Sequence, residues 1–197
     1  MNPGVGQQTW AGAIGEVWRS AVRHKLAAAF AALCVAGSLA GIALAGSGPG
    51  RAGPAADPPA PSFSFSVLGH SAQRISLADY AGRPLIVNFF ASWCEPCQQE
   101  TPLLARFYRT EHGQVAFVGL DENDVLSHAL SFTRAKGVTY PVGWDPAFTA
   151  ASAYGVGALP QTFFLNARHR IVDRVFGAVT LAELDKGIAL ATGHPAS

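Results

Sequence analysis

Charged residues are scarce in this chain of 197 residues: only 14% are charged, whereas 49% are hydrophobic. The formal net charge is +1, so nothing in the overall charge favours a nucleic acid or a strongly acidic partner. A composition this apolar is unusual for a chain that is soluble along its whole length, and it favours the presence of a membrane segment.

Cysteine is scarce as well, with three residues. Cys94 and Cys97 form a C-x-x-C motif, while Cys34 lies far away in an apolar run, where it fits as a small apolar residue. Three cysteines build neither a multi-disulfide framework nor a four-cysteine zinc site. The bulky Leu33 also argues against a lipoprotein site at Cys34.

Several familiar motifs are missing. The sequence has no internal repeat, no Gly-rich phosphate loop, and neither H-E-x-x-H nor G-x-S-x-G. No bound cofactor or metal is therefore predicted, apart from a redox-active disulfide between the two neighbouring cysteines.

The N-terminal third predicts a membrane anchor. Arg19, Arg23 and Lys25 end a segment, residues 1–25, and precede an uncharged run over residues 26–45. A helix of that length spans roughly 30 Å, the thickness of a bilayer core. The basic flank places the N-terminal segment in the cytoplasm and the rest of the chain on the extracytoplasmic, or periplasmic, side.

A cleaved signal sequence is the alternative interpretation of the same region. Ala43, Leu44 and Ala45 before Gly46 fit an A-x-A cleavage site. The apolar run is longer than the usual signal-peptide core, which favours the anchor. Both interpretations export the remaining chain.

Residues 46–61 contain five prolines and four glycines and predict a linker. Such a tether would keep the following domain near the membrane surface. Residues 62–193 then predict one domain with the order β-β-β-α-β-α-(α)-β-β-α, an α/β sandwich with a mixed sheet and helices on both faces. The principal predicted elements are strands at 62–67, 85–90, 115–120, 162–165 and 171–176, and helices at 95–110, 125–136 and 180–190.

The C-x-x-C motif lies where a buried strand gives way to a helix. The first cysteine of such a pair meets the free N–H groups of the helix start, which stabilise its thiolate. Cys94 is therefore predicted to attack, and Cys97, one turn further and shielded, to resolve the mixed disulfide.

Two acids modify this dithiol. Glu95 lies between the cysteines, and Glu100 lies three residues after Cys97 on the same helix face. Nearby anions raise a thiol pKa and make the couple more reducing, and Glu100 could also carry a proton. In the alternative interpretation, Glu100 is only a solvated acid in the first turns of the helix.

A second feature is Leu159-Pro160 before a predicted strand. Pro160 could begin an edge strand or follow a cis bond. Opposite a C-x-x-C motif, a cis proline would leave the backbone of Leu159 able to bind an extended substrate strand. Trp93 is predicted to pack beside the dithiol and form a wall of the site.

These two motifs carry a resemblance to a known family. Residues 87–97 resemble the active-site strand and turn of thioredoxin-fold proteins, and residues 157–163 resemble their cis-proline loop. With the anchor and Glu100, the chain over 62–192 is similar to the membrane-tethered TlpA/ResA/CcmG (DsbE) group of thiol–disulfide oxidoreductases. The resemblance implies a cis Pro160, a catalytic Cys94/Cys97 pair and a functional Glu100.

The resemblance also implies partners. Similar proteins reduce disulfides outside the cytoplasm, notably in apocytochrome c during cytochrome c biogenesis, and are recharged by a membrane thiol-electron carrier. One departure from ordinary thioredoxins is Asn88, which stands where they have a buried Asp. Since Asn cannot accept a proton, that role is either absent or passes to Glu100.

Three other functions fit parts of the sequence. The same dithiol could oxidise secreted proteins, because exported thioredoxin folds work in both directions. A copper or other metal carrier could recruit His112, His128 or His169 as a third ligand, although each also fits a surface position. A peroxidase of the peroxiredoxin type is disfavoured, because the Pro and Thr expected before its cysteine are missing.

Overall fold

The computed structural model describes residues 57–110, 113 and 115–193. The predicted cytoplasmic segment, the anchor over 26–45 with Cys34, most of the linker, and His112 lie outside the described residues. Among the residues that are described, no helix has the length and apolarity needed to cross a membrane.

Seven strands and four α-helices alternate along the described chain. The strands are β1 (Ser64–Val67), β2 (His70–Ser76), β3 (Leu85–Phe90), β4 (Ala116–Glu122), β5 (Val142–Asp145), β6 (Gln161–Leu165) and β7 (Ile171–Phe176). The helices are α1 (Glu95–Thr110), α2 (Leu126–Ala135), α3 (Thr149–Ala153) and α4 (Leu181–Thr192), with a 3₁₀ turn at Leu77–Tyr80.

The strands form one mixed sheet in the order β2-β1-β5-β4-β3-β6-β7. The three central strands β3, β4 and β5 are parallel, and the outer strands pair antiparallel to their neighbours. Every residue of β3 is buried, as its continuous apolar run predicts. The strand that leads to the dithiol therefore lies inside the sheet, covered on both faces.

Alternate residues of the central strands face two separate cores. One core receives Ile86 and Phe90 of β3 together with side chains of α1, α2 and α4, and it includes both Cys94 and Cys97. The other core receives Val87 and side chains of the 3₁₀ turn and α3. The predicted α/β sandwich, with a mixed sheet and helices on both faces, is thus confirmed and is thioredoxin-like.

The structure corrects several element boundaries. The sequence interpretation closed β4 at Leu120 and treated the acidic residues after it as a loop. Instead β4 continues, with Asp121 pairing with Phe90 and Trp144, and Glu122 pairing with Asp145. The register of three parallel strands carries both acids into the buried sheet.

A further difference concerns β5 and α3, whereas the start of α4 agrees with the prediction. The brief extended piece predicted at 141–143 is β5, a full member of the sheet, and it ends at Asp145, so α3 begins only at Thr149. At the other end of the chain, helix α4 begins as its sequence predicts. Thr180 and Glu183 form a capping box there, in which each accepts a backbone N–H of the other.

The described chain begins with a segment bound to the β6–β7 hairpin. The carbonyl of Pro58 accepts the N–H of Ile171 at 2.9 Å, and the N–H of Ala60 donates to the carbonyl of His169 at 2.9 Å. Pro160 immediately precedes β6, whereas the hairpin follows it. The hairpin therefore lies at the other end of the sheet from Pro160. Residues 58–60, which the sequence interpretation included in the linker, are therefore hydrogen-bonded to the domain.

Candidate active site

The dithiol lies at the junction of β3 and α1. The N–H of Cys94 donates to the carbonyl of Ala91, and the Cys94 carbonyl accepts the N–H of Gln98 at 3.1 Å, the first bond of the helix. Cys94 is thus the residue immediately before α1. The N–H of Cys97 points at the Cys94 Sγ, 3.3 Å away, so a helix-start donor is in place to stabilise a thiolate there.

Cys94 and Cys97 are joined by a disulfide. Cys94 is 5% exposed and Cys97 is fully buried. Of the two sulfur-bearing residues, Cys94 is therefore the one nearer to solvent, which agrees with its predicted role as the attacking group. Even so, access to Cys94 is narrow.

Glu100 lies in the protein interior, one turn after Cys97 on α1, and is 3% exposed. Its Oε1 accepts the Nδ2–H of Asn88 at 2.9 Å, and its Oε2 accepts the N–H of Val179 at 2.7 Å. Burial raises the pKa of Glu100 to about 7, against the opposing effect of these two hydrogen bonds. The alternative of a solvated acid is wrong, because the carboxyl group is enclosed.

Asn88 links Glu100 to the neighbouring strand. Its Nδ2 also donates to the Thr162 hydroxyl at 3.1 Å, and the two residues face each other across β3 and β6. Asn88 and Thr162 are both fully buried. Asn88, on the sheet, therefore hydrogen-bonds one carboxyl oxygen of Glu100. The backbone N–H of Val179, just before α4, hydrogen-bonds the other.

The Leu159–Pro160 peptide bond is cis. The carbonyl of Pro160 accepts the N–H of Gly177 at 3.0 Å, which connects this loop to the end of β7. Leu159 is half-buried and packs against the core that contains both cysteines. The structure therefore places the two motifs found in the sequence at the same end of the sheet.

Trp93, by contrast, does not pack in the core. It is 60% exposed, and its Nε1 donates to the carbonyl of Asn123 at 3.1 Å. The predicted packing role is therefore wrong, and Trp93 stands at the surface directly before Cys94. Glu95, the other acid of the motif, is exposed.

Sequence reasoning missed the contact that holds the active-site turn. Asp124, in the loop after β4, accepts both the N–H and the hydroxyl of Ser92. The two residues are 32 positions apart, and no motif in the sequence connects them.

Of the histidines considered as metal ligands, His169 contacts the carbonyl of Tyr80 through Nε2 at 3.0 Å. His169 lies in the β6–β7 hairpin, away from the dithiol, and His128 lies on α2. Within the described ranges, no three His, Cys, Asp or Glu side chains are arranged to hold a metal ion.

A cysteine pair at a helix start, at the same end of a thioredoxin-like sheet as a cis proline, defines a thioredoxin-fold thiol–disulfide protein. The chain belongs to the AhpC/TSA family, whose sequence profile matches residues 57–174.

Particular relatives agree with this assignment. The chain is 32% identical over 120 residues to the thiol-disulfide oxidoreductase ResA of Bacillus subtilis, a match that covers 59% of this chain and 66% of that protein, just under two thirds. The structure is similar to that of a thioredoxin-family thiol:disulfide interchange protein from Chlorobium tepidum (TM-score 0.63, 28% identity, 72% of this chain and 100% of that chain).

A DsbF homologue from Corynebacterium diphtheriae is similar to a comparable degree (TM-score 0.62, 28% identity, 72% of this chain and 94% of that chain). The resemblance to the TlpA/ResA/CcmG group is thereby confirmed.

Proposed function

We propose that this protein is a membrane-anchored, extracytoplasmic thiol–disulfide oxidoreductase that reduces disulfides of client proteins, such as apocytochrome c during cytochrome c maturation. The similarity to ResA supports the activity. The observation that carries the proposal is the buried Glu100 carboxyl, with a pKa raised to about 7, one helical turn from Cys97. It supplies a proton acceptor where dithiol oxidation releases a proton.

The reduced protein would act in two steps. The Cys94 thiolate attacks one sulfur of the client disulfide, forms a mixed disulfide and expels the other client sulfur as a thiolate, which takes up a proton. Cys97 then gives its proton to Glu100 and attacks the Cys94 sulfur. This second step expels the remaining client thiolate and forms the Cys94–Cys97 disulfide, so two electrons pass from the protein to the client.

The acid one helical turn after Cys97 supports the reducing direction. An ionised Glu100 disfavours a second anion on either cysteine, which raises the thiol pKa. A thiol of higher pKa is a poorer leaving group, so the disulfide form is harder to reduce and the dithiol is the stronger reductant. A measured reduction potential well above about −200 mV would instead favour the oxidase alternative.

The location and the electron source belong to the same proposal. The apolar run over residues 26–45 with its basic flank supports an anchor with the redox domain on the periplasmic side. A domain held there would be recharged by a membrane thiol-electron carrier. The client contact would involve Trp93, which precedes Cys94, and Leu159 and Pro160, which lie at the same end of the sheet. It would not involve nucleic acid.

Trapping tests this proposal directly. In cells, a Cys97→Ser variant should accumulate mixed disulfides through Cys94, because the resolving thiol is gone. A Cys94→Ser variant is the matched control and should accumulate none. Captured proteins with haem-attachment cysteines would support the proposed client. Equal amounts of adducts from both variants, or none from either, would contradict the exchange mechanism.

A further inference from the structure

One side chain outside the dithiol motif holds the turn that carries it. Asp124 accepts the N–H of Ser92 at Oδ2 (2.6 Å) and the Ser92 hydroxyl at Oδ1 (2.9 Å). Its Oδ1 also accepts the N–H of Val125, at the start of α2 (2.7 Å). Asp124 is buried, and hydrogen bonds to a charged acceptor are about twice as strong as neutral ones.

The same turn is fixed by other contacts around Ser92. Its carbonyl accepts the Nε2–H of Gln98 on α1 at 2.9 Å. The next residue, Trp93, donates its Nε1–H to the carbonyl of Asn123. Both residues that precede Cys94 are therefore bound to the loop at 123–124, and this loop sets the backbone direction with which the chain enters α1.

A second buried acid lies beside Asp124. Asp121 is three residues earlier, on β4, and is fully buried between Phe90 and Trp144 of the neighbouring strands. Among the described residues, no donor reaches either carboxyl oxygen of Asp121, which leaves a charge there without stabilisation. Burial and the nearby Asp124 accordingly raise the pKa of Asp121 to about 8. Two ionised carboxylates would repel each other, whereas a protonated Asp121 can donate a hydrogen bond to Asp124.

We propose that Asp124 is a positioning residue for the dithiol, and that Asp121, as a neutral carboxylic acid, holds Asp124 in the orientation that binds Ser92. Neither acid needs to touch the sulfurs. They act through the backbone of Ser92, which lies two residues before Cys94. The inference deepens the proposed function and rests on it, since a positioned thiol matters only if Cys94 exchanges disulfides.

In the part of the chain that the structure describes, the charged groups that raise the pKa of Asp121 and of its neighbour Glu122 are all acids. Asp124 faces Asp121 from the adjoining loop. Glu122, on the opposite face of β4, lies beside Asp145 of β5 and also feels the charge of Asp121. The strand neighbours Phe90 and Trp144 bring no cation. No positive charge would thus offset the ionisation of Asp121. The repulsion between the two carboxylates would weaken the hydrogen bonds from Ser92 to Asp124.

The first test measures how fast the reduced, intact chain attacks a chromogenic aromatic disulfide at pH 7. Asp124→Asn should slow the attack by about 10- to 100-fold, because small displacements of a reacting group have effects of this size. Ser92→Ala removes only the hydroxyl bond and should give a smaller loss. Glu122→Gln is the matched control, since it replaces by an amide another buried carboxyl close to Asp124 in the chain that does not hydrogen-bond the turn.

The proposal is overturned if Asp124→Asn slows the attack no more than Glu122→Gln does, or if the loss of rate across the variants merely follows the loss of melting temperature. If Asp124→Asn does not fold, Ser92→Ala carries the test alone, and a rate equal to wild type overturns the proposal. A wild-type chain that does not react at all would contradict the proposed function instead.

The second test isolates Asp121. Asp121→Asn can still donate a hydrogen bond to Asp124, but it cannot ionise. The ratio of the wild-type rate to the Asp121→Asn rate should therefore fall between pH 7 and pH 9, as Asp121 of the wild type loses its proton. This ratio cancels the titration of Cys94, which both proteins share. A ratio that is constant over this range would overturn the role of Asp121.

Discussion

Asn88 donates a hydrogen bond from Nδ2 to Oε1 of Glu100 at 2.9 Å, although 12 positions separate them in the chain. The bond crosses from the central strand to the helix that carries Cys97. Asn88 cannot exchange a proton itself, so it serves to orient Glu100 and to moderate its pKa. In the proposed mechanism, the acid–base chemistry of the site thus rests on one carboxyl group, held by neutral partners.

Glu100→Gln should slow the second step, in which Cys97 displaces the client, by about 100-fold or more, because a positioned acid–base group contributes about that much. In wild type, this step should accelerate as the pH rises through about 7, where Glu100 becomes able to accept a proton. Rapid mixing with alkylating quench would follow the mixed disulfide. Asp185→Asn, an exposed acid on α4, is the control, and equal rates in the two variants would remove Glu100 from the mechanism.

Asn88→Ala should move the midpoint of that pH profile upwards. The hydrogen bond from Asn88 favours the charged form of Glu100, so its loss raises the pKa of Glu100 further. The measurement is the rate of the second step across a pH series. Thr162→Val is the matched control, because it removes the other partner of Asn88 and leaves the bond to Glu100 in place. A midpoint that moves equally in both variants would argue against a direct effect of the Asn88 hydrogen bond on the pKa of Glu100.

Glu122→Gln should make the stability of the protein less dependent on pH. Burial and the neighbouring Asp145 raise the pKa of Glu122 from 4.5 to about 9. The folded protein keeps this proton where the unfolded chain has released it, so the stability it confers is complete below about pH 4.5 and is lost as the pH rises towards 9.

Urea unfolding of the oxidised, intact chain would check this effect. Wild type should lose about 2 to 3 kcal/mol more than Glu122→Gln between about pH 6 and pH 8, since only the folded chain holds this proton there and each pH unit is then worth about 1.4 kcal/mol. Asp185→Asn should keep the wild-type dependence. An unchanged slope in Glu122→Gln would mean that Glu122 is ionised in the folded state.

Gly187→Ala should destabilise the domain by about 1 to 3 kcal/mol, as overpacking does. A Cβ at Gly187 would lie 2.4 Å from ring carbons of Phe164, so α4 could no longer approach β6 as closely. In an exposed helix the same change stabilises by up to about 1 kcal/mol. Chemical denaturation would give the sign, and a second change, Phe164→Leu, should recover part of the loss.

The parts of the site that sequence could predict are those encoded locally. The buried strand before Cys94 and the helix after it follow from the pattern of apolar residues, and the three-residue spacing places Glu100 on the same helix face as Cys97. The cis bond at Pro160 follows from resemblance alone, because its local sequence also fits an edge strand.

The parts that sequence could not predict depend on distant pairings. The four residues Asp121–Asp124 are polar and resemble a loop, and only the register with β3 and β5 carries Asp121 and Glu122 into the interior. Asp124 and Ser92 meet because both lie at the carboxyl ends of neighbouring parallel strands. Such contacts arise from the assembled sheet rather than from any short motif.

The hydrogen bonds of Pro58 and Ala60 to the β6–β7 hairpin also determine how far from Cys94 the incoming chain joins the domain. They attach the incoming chain at the end of the sheet away from the dithiol, and six residues of a strand such as β3 span about 20 Å. Along the strand direction, residues 58–60 therefore lie about 20 Å from Cys94. A protein that docks at Cys94 therefore approaches the domain at the end opposite the segment through which the incoming chain joins it.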